Sequence, residues 1–288
     1  MFTVKMKIEK VINNNIVSAF NEEGQEVVLM GRGIGFGKKS GHVIDMEQVE
    51  KVFCMETKQS SDQLKLILGE VPLEHAQITN EIVCYAKDQL TTPLNENIYV
   101  TLTDHISYAI ARKRHGTSYH NVLIWEIKKF YAVEYGIGLY AVGLIKDKLG
   151  IDLGEDEAGT IALHLVNAEF NTTMSKAMDI TKLIQSTMNI VKYHFHIELD
   201  EEDVHVERFV THLKFFAQRI FTERMMQEED DIFQETIALK YPEYHECTEM
   251  IAEYIHKEYG ITITKEEMVY ITIHIGRIVR DFEKKDKK

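Results

Sequence analysis

The chain has 288 residues, 44% of them hydrophobic and 27% charged, with only three prolines and sixteen glycines. That composition suits a folded globular protein of two or three domains and excludes a collagen-like or disordered chain. The formal net charge of −13, taken whole, argues against phosphate-rich partners such as nucleic acid or an anionic membrane, which need a positive footprint.

The N-terminus, MFTVKMKIEK, is charged and lacks the apolar core of a signal peptide. No apolar run reaches the roughly 18 residues of a membrane span, so a cytoplasmic protein without membrane insertion is expected. Lys5 to Val11 alternates, with Met6, Ile8 and Val11 apolar; Ile16 to Phe20, Glu26 to Met30 and Val49 to Met55 are further short β-rich runs, separated by Asn and Gly turns. Such runs predict a small antiparallel sheet. A sheet of this size buries too little apolar surface to be secure alone, so it is expected to pair with a second copy. Residues 57–63, TKQSSDQ, are polar and aperiodic and read as linker. From Leu64 the periods are helical, as in Ile82, Ala86 and Leu90, or in Phe209, Leu213, Phe216, Ala217 and Ile220.

The helical region repeats. His105 and Arg112 are matched by His212 and Arg219, an offset of 107; the segment Gly150 to His164 aligns without a gap on Gly260 to His274, an offset of 110. A period this long means two copies of one helical domain rather than a solenoid. The charge is divided unevenly. Residues 1–58 hold 8 of the 33 Lys and Arg and 8 of the 46 Asp and Glu, so they are neutral, and the whole excess of −13 lies in the helical part.

The glycine-rich stretch Gly31-Arg32-Gly33-Ile34-Gly35-Phe36-Gly37-Lys38-Lys39-Ser40 is not a phosphate loop: Arg32 stands where a P-loop glycine is needed, and no helix signal follows. It reads either as a turn between strands or as a nucleic-acid contact. In the second reading the glycines allow close backbone approach, Arg32, Lys38 and Lys39 meet phosphates, and an exposed Phe36 stacks on a base. Asn13-Asn14-Asn15 is either a polar turn or a set of amides reading base edges. At helical spacing His212 lines up with Arg208, Phe215 and Arg219, His105 with Thr101, Tyr108 and Arg112, His164 with Glu157, Thr160 and Asn167, and His274 with Glu267, Tyr270 and Arg277. These stripes are expected beside the apolar face, not at its centre. Metal binding is disfavoured, since no HExxH occurs and Cys54, Cys84 and Cys247 are isolated; His194 and His196, two apart, suit opposite faces of a strand. Reversible phosphorylation fits the four histidines better, because a neutral imidazole is a nucleophile near neutral pH and a nearby arginine can hold the phosphoryl group.

The motifs KVINNN, MGRGIGF followed by KKSG, VEKVF, LTDH, EDEAGTIALHLVNAE, RFVTHLKFFAQR and YITIHI closely resemble those of the BglG/SacY/LicT family of transcriptional antiterminators, over Met6 to Phe282. The resemblance implies a dimeric RNA-binding domain of antiparallel sheet at 1–58, a linker at 59–64, two homologous all-α helical-bundle PTS regulation domains at 65–171 and 172–283, and a disordered tail at 284–288. It implies binding of a hairpin in nascent leader mRNA of a sugar-utilisation operon, such as a β-glucoside one, so that a terminator does not form. Lys10, Asn13, Asn15, Gly31, Arg32, Gly33 and Phe36 then fall at the RNA surface. His105 and His164 match the sites where the sugar permease (enzyme II) acts negatively, and His212 and His274 those where the phosphocarrier HPr acts positively. Asp104 matches the acidic neighbour of the first histidine, but the second module has Thr211 there. Met1 to Lys5 are extra to the family pattern, as an alternative start or an extension of the first strand. No catalytic turnover, cofactor or metal is expected. The alternative is a PTS-regulated DNA-binding activator, which would carry a helix-turn-helix at its front.

Overall fold

A computed structural model describes residues 6–117, 119–200, 203–222 and 231–286; the extra segment Met1 to Lys5 lies outside them. The chain forms two compact units, Met1–Asn171 and Thr172–Lys288.

The first unit opens with four strands, β1 (Ile8–Val11), β2 (Ile16–Phe20), β3 (Glu26–Met30) and β4 (Lys51–Phe53), paired antiparallel in chain order. Successive side chains point to opposite faces. One face gathers Ile8, Val17, Ala19, Val27 and Leu29 beneath Ile34 and Ile44, which the glycine-rich loop and its exit fold back over the sheet. The other face, with Ile16, Val28, Met30 and Phe53, is continuous with the helical core. IVSA and VVLM are therefore buried on both sides, which is why they read as unbroken runs in the sequence.

That second face is covered by α1 (Lys58–Glu70), α2 (Leu73–Gln89) and α3 (Ile98–Arg114). The segment expected as linker, 59–64, is the start of α1. Thr57 caps it by accepting from the Ser60 N–H, and its inward side is Ser61, Leu64 and Leu68. A polar first turn hid the helix, since its apolar period begins only at Leu64. The layer over that face comes from α1 to α3 of the same chain. Phe53 meets Tyr99 edge-on with ring centres 5.0 Å apart, Lys65 pairs with Glu26 at 3.0 Å, and the Asn13 amide donates to the Leu68 carbonyl at 2.9 Å.

The first unit continues with α4 (Ile124–Phe130), α5 (Ala132–Leu149) and α6 (Glu155–Phe170). The second contains α7 (Met174–Phe195), α8 (Val204–Phe221), α9 (Asp231–Lys240), α10 (Pro242–Tyr259) and α11 (Lys265–Asp286). The series α2 to α6 recurs as α7 to α11. The offset of 110 takes α5 onto α10 residue for residue, and the start of α6 onto the start of α11. Gly150 and Gly260 close α5 and α10 with φ of 69° at each, the left-handed C-terminal cap that glycine adopts without penalty. Pro242 begins α10, where its missing N–H costs nothing. His194 and His196 do not lie on a strand; they end α7, with His196 as its left-handed cap. Residues 284–286 of the expected disordered tail extend α11, and 287–288 lie outside the described residues.

Candidate functional site

Two sets of residues stand out. The first surrounds the glycine loop after β3. The Asn13–Asn15 tract pins that loop by backbone: the Gly31 N–H donates to the Asn15 carbonyl at 3.0 Å and the Gly35 N–H to the Asn14 carbonyl at 2.9 Å. Asn15 Oδ1 accepts from the Gly33 N–H at 2.9 Å, and its Nδ2 has no hydrogen-bond partner among the described residues. Gly31 is packed so closely that a Cβ there would sit 1.9 Å from the Gln48 carbonyl oxygen. Phe36 is 73% exposed, and the Lys10 and Arg32 side chains are also exposed. Asn13 differs: its Oδ1 accepts from the Asn15 N–H at 2.8 Å and its Nδ2 is spent on Leu68. It shapes the tract from inside. Sequence reasoning missed Glu50, whose carboxylate accepts from the Arg32 N–H at 3.2 Å and from Gln77 of α2 at 2.6 Å.

The second set is the histidines, which the fold brings together in pairs. His105 on α3 faces His164 on α6 with ring centres 4.6 Å apart. His212 on α8 faces His274 on α11 at 4.9 Å. His164 is not beside the apolar face as expected but within it, 8% exposed, because α6 is enclosed along most of its length. Burial first, and the neighbouring His105 second, push its pKa down to about 3. Burial and then Arg219 push His212 down to about 4; burial and then His212, Arg277, Arg208 and His205 do the same for His274. These three rings are therefore neutral near pH 7, the state in which imidazole is a nucleophile.

Each pair has a buried carboxylate that the expected neighbour, Asp104, does not supply; Asp104 is exposed. In the first module Glu157, 2% exposed, accepts from His105 Nε2 at 2.6 Å and from Arg112 Nη2. Arg112 also lies over the Tyr119 ring, 4.3 Å from its centre. In the second, Glu267, fully buried, takes Arg219 Nε at 2.8 Å and Nη2 at 2.9 Å, and His212 Nε2 is buried without a partner. The sequence had placed Glu157 and Glu267 on the stripes of His164 and His274, seven residues before each; the ties to Arg112 and Arg219 cross between helices and have no local signal. Among the described residues no group of three or more His, Cys, Asp or Glu is placed to hold a metal, and no helix is long and apolar enough to cross a membrane.

Comparison with known proteins agrees with this division. Residues 6–62 match the CAT RNA binding domain, and residues 80–168 and 185–278 each match the PRD domain. The chain is 50% identical to the transcription antiterminator LicT of Bacillus subtilis (strain 168), over 96% of this chain and 99% of that one. It is 41% identical to the beta-glucoside operon antiterminator of Dickeya chrysanthemi, over 95% and 96% respectively. A solved structure described as GlcT CAT-PRDI matches 58% of this chain and 99% of its own, with a TM-score of 0.52 and 36% identity.

Proposed function

The chain belongs to the BglG/SacY/LicT family of transcriptional antiterminators, and from that premise we propose how its residues carry out RNA binding and its control by phosphotransfer. It is an RNA-binding antiterminator of a carbohydrate operon regulated through its PRD domains. The alternative of a DNA-binding activator loses its ground, because residues 6–57 form a sheet and its turns where a helix-turn-helix would be needed.

The target is a leader mRNA hairpin, β-glucoside utilisation being the favoured operon type. Lys10 and Arg32 meet its phosphates, the Asn15 amide reads a base edge, Phe36 stacks on an unpaired base, and Gly31 and Gly33 let the backbone approach. Asn13 holds this surface in shape. The protein works in the cytoplasm as a homodimer and turns over no substrate. HPr phosphorylates His212 and His274 and favours the active dimer; the sugar permease phosphorylates His105 and His164 and opposes it. The boundaries of action follow the sequence division, with RNA contact in 1–58 and control in 65–171 and 172–283.

The observation that carries the RNA reading is the exposed Phe36 on a loop whose backbone N–H groups from Gly31 to Phe36 are all hydrogen-bonded. A gel shift of the full chain with the leader hairpin tests it. The isolated first 58 residues are not the right sample, since Ile16, Val28, Met30 and Phe53 would lose their helical cover. Phe36→Ala is expected to weaken binding by about 1–3 kcal/mol, the worth of one stacked base, and wild-type affinity would remove the stacking role. Arg32→Ala is expected to flatten the salt dependence of binding.

A further inference from the structure

We propose that Glu157 makes Nδ1 of His105, rather than Nε2, the atom that accepts the phosphoryl group in the first module. This rests on the reading of His105 as a phosphorylation site and goes on to its chemistry. His105 Nε2 lies 2.6 Å from Glu157 Oε1, and the other carboxylate oxygen is in an ion pair with Arg112. A carboxylate accepts hydrogen bonds and does not donate them. Nε2 therefore carries the hydrogen of the neutral ring, and its lone pair is not on offer. The in-plane direction from Nε2 is also filled by Glu157, so a phosphorus atom approaching there would displace a buried, arginine-bound side chain. The ring's free lone pair is on Nδ1, which makes no hydrogen bond to any described residue and is not among the unpaired atoms sealed from solvent.

The step balances simply. The Nδ1 lone pair attacks the phosphorus of a phosphohistidine or phosphocysteine on a donor protein. The Nδ1–P bond forms as the donor's P–N or P–S bond breaks, and that bonding pair stays with the donor atom. The ring keeps its Nε2 hydrogen and gains a positive charge. That charge faces the Glu157 carboxylate across a charge-assisted hydrogen bond already in place. Glu157 is thus a positioning residue: it touches neither donor nor phosphorus, but selects the nitrogen and stabilises the phosphorylated ring. The second module lacks the device, because Glu267 gives both oxygens to Arg219.

The test is the isomer of phosphohistidine, which a merely structural role of Glu157 would not alter. The full chain carrying His164→Asn, His212→Asn and His274→Asn, so that His105 is the sole acceptor of the four, is phosphorylated from phosphoenolpyruvate by HPr and the permease system and read by phosphorus NMR. The Nδ1 isomer is expected in more than tenfold excess. Predominance of the Nε2 isomer overturns the inference, as does a wild-type chain that takes phosphate on other histidines but never on His105. A wild-type chain with no phosphohistidine at all overturns the underlying phosphorylation reading instead. Adding Glu157→Ala is expected to shift the isomer ratio at least tenfold toward Nε2, and an unchanged ratio in a folded variant removes Glu157 from the role. If that variant does not fold, the isomer found with Glu157 present decides alone.

Discussion

In the first helical module Glu157 divides its carboxylate between His105 and Arg112; in the second, Glu267 gives both oxygens to Arg219 and leaves His212 without one. The parts are the same and stand at repeated positions, so the difference lies in how one buried charge is shared. A buried carboxylate needs its partners, because an uncompensated charge in the interior costs far more than an intact pair contributes. Glu157 has two partners and survives the loss of one. Glu267 is fully buried, and among the described residues its one side-chain cation is Arg219. The first module's arrangement hydrogen-bonds the histidine to the carboxylate of the ion pair; the second's leaves His212 Nε2 buried without a partner.

The sharpest way to break this comparison is to remove the arginines. Arg219→Ala strands Glu267 and is expected to destabilise the second module by about 3–5 kcal/mol, the usual cost of breaking a buried pair. Arg112→Ala leaves Glu157 its contact with His105 and is expected to cost the first module clearly less. Urea unfolding followed by amide hydrogen exchange, which resolves the modules, measures both. Equal losses would mean that His105 does nothing for Glu157 in the resting protein.

A second contrast concerns packing at matched positions. The offset that takes Gly150 to Gly260 takes Gly138 to Thr248. A Cβ on Gly138 would lie 2.1 Å from the Ala158 carbonyl oxygen, so α5 and α6 touch backbone to backbone there. At the matching place Thr248 is buried and shares a hydrogen bond of 2.9 Å with Thr272. Gly138→Ala forces two helices apart rather than a side chain aside, and is expected to cost about 1–3 kcal/mol, read as a lower midpoint in the same unfolding experiment. A neutral Gly138→Ala would show that the two modules share one spacing after all.

How much of this was legible beforehand depends on the range of the interaction. The strands, the repeat, and the histidines with their arginines seven residues on are local patterns, and each is found where its spacing puts it. Helix α1 was hidden because Lys58 to Asp62 is polar and only Leu64 and Leu68 mark its buried side. The tertiary role of Asn13 was hidden for a different reason: an amide in a turn looks the same whether it faces solvent or, as here, the end of a helix 55 residues on. Glu157 and Glu267 were visible on their own helices, but not as partners of Arg112 and Arg219, because helical spacing says nothing about the neighbouring helix.

The smallest expected effect is absent at neutral pH and grows with acid. His212 and His274 are held down to about 4 by burial first, and then by Arg219 at His212 and by His212, Arg277, Arg208 and His205 at His274. Unfolded, each would titrate near the ordinary histidine value of about 6.5. Below that pH the unfolded chain binds protons that the folded module refuses, so stability is full above about 6.5 and is lost as pH falls toward 4. In the first module the same sign applies to His164, whose loss extends down to about 3, and to His75, which burial also lowers. Both modules are therefore expected to weaken as pH falls below about 6.5, the second through its facing pair between about 6.5 and 4. The double variant His212→Asn, His274→Asn should flatten that slope in the second module alone. Trp125, the single tryptophan of the chain, reports on the first module as an internal control. An unchanged slope in the second would show that its paired histidines are open enough to protonate while folded. Their neutrality near pH 7 would then owe nothing to burial, and the contrast between the modules would rest on the glutamates alone.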